Sequence, residues 1–96
     1  MGQSAAKNGV QLLDRAVLLL DLVASAGSDG ASLKTLCELS ALNKVTCHRI
    51  LNSLVDHGFL NKIPGEKHYR LGTKLLILGV KAAKGPSLRN HFQPAL

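Results

Sequence analysis

The segment Leu42–Gly58, LNKVTCHRILNSLVDHG, constrains the fold of this chain more than any other stretch. Wound at about 3.6 residues per turn, it sets Cys47, Ile50, Leu51, Leu54 and Val55 on one side. Val45, Arg49, Asn52 and Asp56 fall opposite, flanked by Thr46, His48 and Ser53. The first face is made to pack against a core. The second carries a guanidinium, an amide, hydroxyls and methyl groups, which are the groups that match base edges in a DNA major groove. The segment is predicted to be a recognition helix.

What lies on either side fits that reading. A first helix is predicted from about Leu12 to Ala26, ended by the turn Gly27-Ser28-Asp29-Gly30. Ala31 and Ser32 lead into a short helix, Leu33 to about Ser40, with Ser32 as its N-cap. Ala41, Leu42 and Asn43 then connect to the amphipathic helix, which Asn43 caps and Gly58 stops. Two helices joined by so short a turn cross one another, the helix-turn-helix geometry. Beyond Gly58, Phe59–Ile63 and His68–Leu71 flank Pro64-Gly65-Glu66-Lys67 and form a hairpin, with Tyr69 and Leu71 on one face and His68 and Arg70 on the other. A basic hairpin directly after a recognition helix is a wing, its tip projecting toward phosphates or the minor groove. Thr73–Lys84 reads as a helix that is apolar almost all round, broken by Gly85-Pro86, and Ser87 onward as the start of another.

The predicted fold class is therefore mainly α with a small β-hairpin: a winged helix-turn-helix followed by the start of a linker helix. Residues 1–10 are expected to form a disordered N-terminal arm, 11–72 the DNA-binding domain and 73–96 linker helices. The 96 residues make one domain, and with no Trp, one Tyr and two Phe its core must be aliphatic. Formal charge is +6, and from Lys44 to Lys84 eight Lys or Arg stand against only Asp56 and Glu66. So local an excess is the footprint of a polyanion-binding surface. The first and fourth helices carry more apolar residues than one small core can bury, with Leu18, Leu19 and Leu22 of one and some of Leu75, Leu78 and Ala82 of the other left over. A homodimer through these helices would cover them and set two recognition helices about one DNA turn, or a multiple of it, apart. Packing on a further part of the same chain is the other solution.

Other chemistries find no foothold. Cys37 and Cys47 lie on apolar helix faces, as small buried hydrophobes in a reducing compartment do. They form no C-x-x-C pair and have no histidine at structural-zinc spacing. His48, His57, His68 and His91 are not spaced with a carboxylate and a nucleophile, and Gly27-x-x-Gly30 lacks the lysine of a P-loop, so neither catalysis nor a nucleotide cofactor is expected. MGQSAAKNG has neither the charged nor the apolar region of a signal peptide, and Ala6 breaks the myristoylation pattern. Leu12–Ala26 is interrupted by Asp14, Arg15 and Asp21 and is shorter than the roughly 20 residues needed to span a bilayer. A cytoplasmic location without membrane attachment is expected.

The order RAVLLLDLVA, ASLKTLCELSALNKVTCHRILNSLVDHGFL and HYRLGTKLLILG resembles the N-terminal winged helix-turn-helix domain of the isocitrate-lyase-regulator (IclR) family of bacterial transcription factors, over roughly residues 12 to 80. The most specific pieces are K-x-T-x-H-R-x-L from Lys44 to Leu51, L-x-x-x-G-F-L from Leu54 to Leu60, and Y-R-L-G from Tyr69 to Gly72. The resemblance implies double-stranded DNA as partner, dimers or tetramers, and a larger C-terminal domain for a small-molecule effector, which these residues do not include. The chain departs from the family pattern where Gly, Pro and Ser are frequent, at Ala41, Asn43 and Val45. Alanine makes the turn use ordinary dihedrals or carry strain. Asn43 caps where proline would only start a helix. Val45 replaces a hydroxyl with methyl groups and favours a thymine methyl.

The candidate DNA-binding residues follow. Arg49 suits guanine O6 and N7 or a phosphate. Lys44 and Thr46, in the first helical turn, are placed for phosphate, and Val45 for a base. His48 either contacts DNA or bonds a backbone carbonyl at the core edge, and Asn52 suits adenine if the groove reaches it. Lys62, Lys67 and Arg70 are candidate wing contacts. Ser32 and Thr35 either touch phosphate or serve as a cap and a surface hydroxyl. The competing class is a winged-helix module that binds protein through its apolar excess, and a third possibility is structured RNA.

Overall fold

Four helices and three short strands follow one another along residues 10–84, the part of the chain that the computed structural model describes. Helix α1 is Gln11–Ser25, followed by a 3-10 turn, Gly27–Asp29. Strand β1 is Ala31–Ser32, α2 Leu33–Ser40, α3 Lys44–Asp56, β2 Leu60–Lys62, β3 His68–Leu71 and α4 Thr73–Ala83. The expected arm up to residue 9 and the helix expected from Ser87 lie outside the described residues. The architecture is the winged helix-turn-helix that the sequence predicts, with one strand more than expected.

Local chemistry sets each boundary of the helix-turn-helix. The Ser32 hydroxyl oxygen accepts from the Thr35 amide at 3.1 Å, and the Asn43 Oδ1 accepts from the Thr46 amide at 2.8 Å. Each satisfies one of the four amides that a helix start leaves unpaired. At the far end of α3, Gly58 stands at φ 82°, its amide donating to the Val55 carbonyl at 3.0 Å and that of Phe59 to Leu54 at 2.9 Å. This pair of bonds is the Schellman arrangement. The turn itself carries strain, because Ala41 sits in the left-handed region at φ 60°, ψ 19°. The Ser40 hydroxyl holds it there by accepting from the Leu42 amide at 3.3 Å. An L-residue with a Cβ is disfavoured in that region by about 1–2 kcal/mol. Ala41→Gly is accordingly expected to stabilise the domain by about 1 kcal/mol, read as a melting temperature raised by several degrees; a lower one would contradict the assignment.

The additional strand is β1. Ala31 and Ser32 are expected only as a lead into α2, whereas they pair antiparallel with β3, Ala31 opposite Tyr69 and Ser32 opposite His68, giving the strand order β1-β3-β2. Two residues are too few to display alternation. The hairpin joining β2 to β3 pairs Leu60 with Leu71, Asn61 with Arg70 and Lys62 with Tyr69. Its tip closes through a bond from the Glu66 amide to the Ile63 carbonyl at 3.2 Å, with Pro64 second and Gly65 third at φ 79°, as a type II turn requires. The wing is tied to the helix-turn-helix by the Leu33 amide, which donates to the Lys67 carbonyl at 2.9 Å.

The core gathers Leu19 and Val23 of α1, Leu33 and Leu36 of α2, Cys47, Ile50, Leu51 and Leu54 of α3, and Leu60 and Tyr69 of the hairpin. Two of the residues expected to be surplus are thereby reassigned. Leu19 is fully buried and Leu22 packs against the core, because Leu19 and Val23 sit one turn apart on the inward face of α1. Leu18 is exposed as expected, and Leu12, Leu13 and Val17 join it as the surplus of α1. Helix α4 buries no residue, and Leu76, Ile77, Leu78 and Val80 are exposed along it.

Cys37 of α2 and Cys47 of α3 are neighbours, and both are free. Burial, with the neighbouring Cys37, pushes the Cys47 thiol from its ordinary value of 9.0 up to about 12. Burial also raises the Tyr69 phenol, whose hydroxyl has no hydrogen-bond partner among the described residues. Both groups hold their protons more tightly folded than unfolded, so their contribution is complete below the unfolded values and lost as pH rises through the folded ones. Unfolding free energy should therefore decline between about pH 9 and about 12, and Cys47→Ala should flatten the decline. An identical decline in Cys47→Ala would contradict this origin.

Candidate nucleic-acid interface

The outward side of α3 and the wing enclose a cleft of about 270 Å³ lined by Lys44, Val45, His48 and Arg49 of the helix and Lys62 and Lys67 of the hairpin, with Leu33 and Tyr69 at its floor. Helical spacing supplies the first group: one turn separates Lys44 from His48 and Val45 from Arg49, so their side chains leave the same side while Cys47, Ile50, Leu51 and Leu54 enter the core. Sheet alternation supplies the second. Lys62 pairs with Tyr69, so it shares the hairpin face that packs toward α3, and Lys67, two residues before Tyr69, follows the same parity. Four permanent cations and a histidine thus converge on one cleft that no carboxylate lines. Arg49 is exposed and makes no ion pair with any described residue, which leaves its five donors free to bond outward.

An adjoining cleft of about 440 Å³ extends this surface along α2 and the hairpin tip, sharing Lys44 and Lys67 and adding Ser32 and Lys34 together with Glu38, Glu66 and His68. Lys34 is absent from the residues singled out in the sequence. It occupies the second position of α2, and the signal that finds it is the same first-turn placement that singles out Lys44. The Ser32 hydroxyl is committed as a cap and donates to the Thr35 hydroxyl at 3.0 Å, so Thr35 is the member of that pair whose own proton stays uncommitted. Glu66 stands 3.4 Å from His68 Nδ1, an exposed contact of small energetic weight.

Not every candidate joins this cluster. Thr46 is half-buried and lines a groove on the other side of α3, against Val10, Leu12, Leu13 and Ala16, with Arg49 on the rim between groove and cleft. Asn52 is exposed, further along the same helix face, and lines neither cleft. Arg70 lies apart. Paired with Asn61 on the opposite face of the hairpin, it sits against Val23, Ala24, Gly27 and Ser28, at the end of α1. Among the described residues no group of three or more His, Cys, Asp or Glu is placed to hold a metal, and no helix is long and apolar enough to cross a membrane.

Comparison with known proteins adds to this geometry. Residues 12–64 match the family profile of the IclR helix-turn-helix domain. The DNA-binding transcriptional repressor YiaJ of Escherichia coli (strain K12) is 38% identical over 88 residues, covering 92% of this chain and 31% of its own length. The glycerol operon regulatory protein of Streptomyces griseus is 39% identical over 70 residues, 73% of this chain and 27% of its own length. The crystal structure of Pseudomonas aeruginosa HmgR superposes with a TM-score of 0.65 at 27% identity, over 76% of this chain and 30% of that one. The chain thus spans less than a third of the curated relatives named here.

Proposed function

The chain belongs to the IclR helix-turn-helix family, and from that premise we propose that it binds duplex DNA sequence-specifically, as the N-terminal domain of a bacterial transcriptional regulator in the cytoplasm. In this reading α3 enters the major groove, α2 braces it across the backbone and the wing grips alongside. Arg49 and Val45 meet bases. Lys44, Lys62 and Lys67 meet phosphates, with Lys34, Ser32, Thr35 and Thr46 at the edges of the contact, and His48 lies between the two groups. Asn52 and Arg70 come into contact only if the duplex bends toward them. The function is binding alone, without catalysis. The observation that carries the proposal is the convergence of Lys44, Arg49, Lys62 and Lys67 on a cleft without a carboxylate.

Helix α4 would lead toward an effector-binding domain, and the exposed Leu12, Leu13 and Val17 of α1 with Leu76, Ile77 and Val80 of α4 would pair two copies. The same residues are what favours the second reading, a module that docks protein.

A salt titration separates the two. Binding to random duplex should fall with a log-log slope of about −0.9 per phosphate neutralised, and Lys67→Ala should lower that slope by about one for every sequence alike. Negligible binding at low salt would sink the DNA reading and favour the adaptor, while preference for duplex RNA over duplex DNA would redirect it.

A further inference from the structure

Val45 is 68% exposed, the one large apolar side chain standing free on the outward face of α3. Lys44, His48, Arg49, Lys62 and Lys67 share its cleft. Nothing in the core requires a valine there, and as a β-branched residue it does little for the helix. The cations around it call for a polyanion, and within a duplex the sugar-phosphate backbone offers an isopropyl group no comparable partner. The C5-methyl group of a pyrimidine does. It projects into the major groove, where it distinguishes thymine from adenine, guanine and unmodified cytosine.

We propose that Val45 reads the C5-methyl of a thymine, one to two base pairs from the base that Arg49 contacts. The spacing follows from the helix. Four residues at about 1.5 Å each put the two side chains roughly 6 Å apart along α3, against about 3.4 Å per base step. A thymine and a guanine at this fixed short distance would then mark the centre of each half-site. The inference rests on the DNA-binding reading above and adds to it which base the apolar position selects.

The test selects bound sites from random duplex DNA with the 96-residue chain, then replaces each thymine of the selected site in turn by deoxyuridine, which removes only the methyl. One thymine per half-site should lose about fourfold in affinity, the effect of uncovering one buried methyl-sized group. In Val45→Ser, whose substitution lies at an exposed position and whose folding is checked by thermal melting, the thymine and deoxyuridine sites should bind equally. The inference is overturned if no deoxyuridine weakens binding, or if the loss persists in Val45→Ser, while the selected site still outcompetes random DNA; the DNA-binding reading then stands. If selection enriches no sequence, specific recognition fails and the inference with it.

Discussion

Arg49→Ala should weaken binding to the preferred duplex by about 1–3 kcal/mol, a loss of roughly five- to 150-fold, and should blur the distinction between that duplex and random DNA. The expectation rests on three features of the side chain. It leaves α3 one turn after Val45, on the side opposite Cys47, Ile50, Leu51 and Leu54, so no core contact is lost with it. It forms no ion pair with a described residue, so its removal strands no carboxylate. Its planar fork is pre-organised to donate two parallel bonds to guanine O6 and N7, a fixed geometry that the freely rotating ammonium of a lysine matches less well. Arg49→Lys should accordingly retain most of the binding to random duplex while losing preference. Unchanged affinity and preference in Arg49→Ala, measured at fixed salt, would show that α3 does not read bases.

Gly72→Ala should destabilise the domain by about 3 kcal/mol or more, enough to remove much of the roughly 5–15 kcal/mol that holds a small domain together. The cause is space rather than dihedral preference, for Gly72 has an extended backbone at φ −94°, ψ 167° that any residue adopts. A Cβ there would overlap the Gly58 carbonyl oxygen and stand 2.9 Å from the Leu60 nitrogen and the Phe59 carbonyl carbon. All three are backbone atoms, which cannot rotate aside as a side chain would. They belong to the seam that joins the end of α3 to the start of α4, where the Gly72 amide donates to the Phe59 carbonyl at 2.8 Å and the Lys74 amide to the Gly58 carbonyl at 3.1 Å. Moving α4 to make room would break both bonds and disturb the neighbouring Leu60–Leu71 pair. A melting temperature within a degree or two of the parent would contradict this packing.

The two helices of the helix-turn-helix were legible in the sequence because their signals are local. Asn43 and Ser32 announce caps by their side-chain acceptors and Gly58 by its tolerance of positive φ, and the period of α3 separates Leu51 from Arg49 without tertiary information. Helix α1 was less legible. Apolar residues recur around most of it, so period alone could not choose Leu19 and Val23 over Leu12 and Leu13 as the buried pair. Strand β1 was hidden by its length. Arg70 marks the limit of reading charge: strand parity already set it opposite Tyr69, while its positive charge grouped it with Lys62 and Lys67, and parity governs where it stands. Ala41 joins the two kinds of information, since the residue type allows either ordinary dihedrals or the strained turn, and the turn held by the Ser40 hydroxyl takes the second.

In the proposed function, the surface formed by α3 and the wing is the one that meets the duplex. Amide chemical shifts of the isotope-labelled chain, followed as duplex DNA is added, test it residue by residue. The largest changes should cluster at residues 44–49 and 62–67, with smaller ones at 32–35. Changes concentrated at residues 12–18 and 76–80, with Arg49 and Lys67 unmoved, would contradict it.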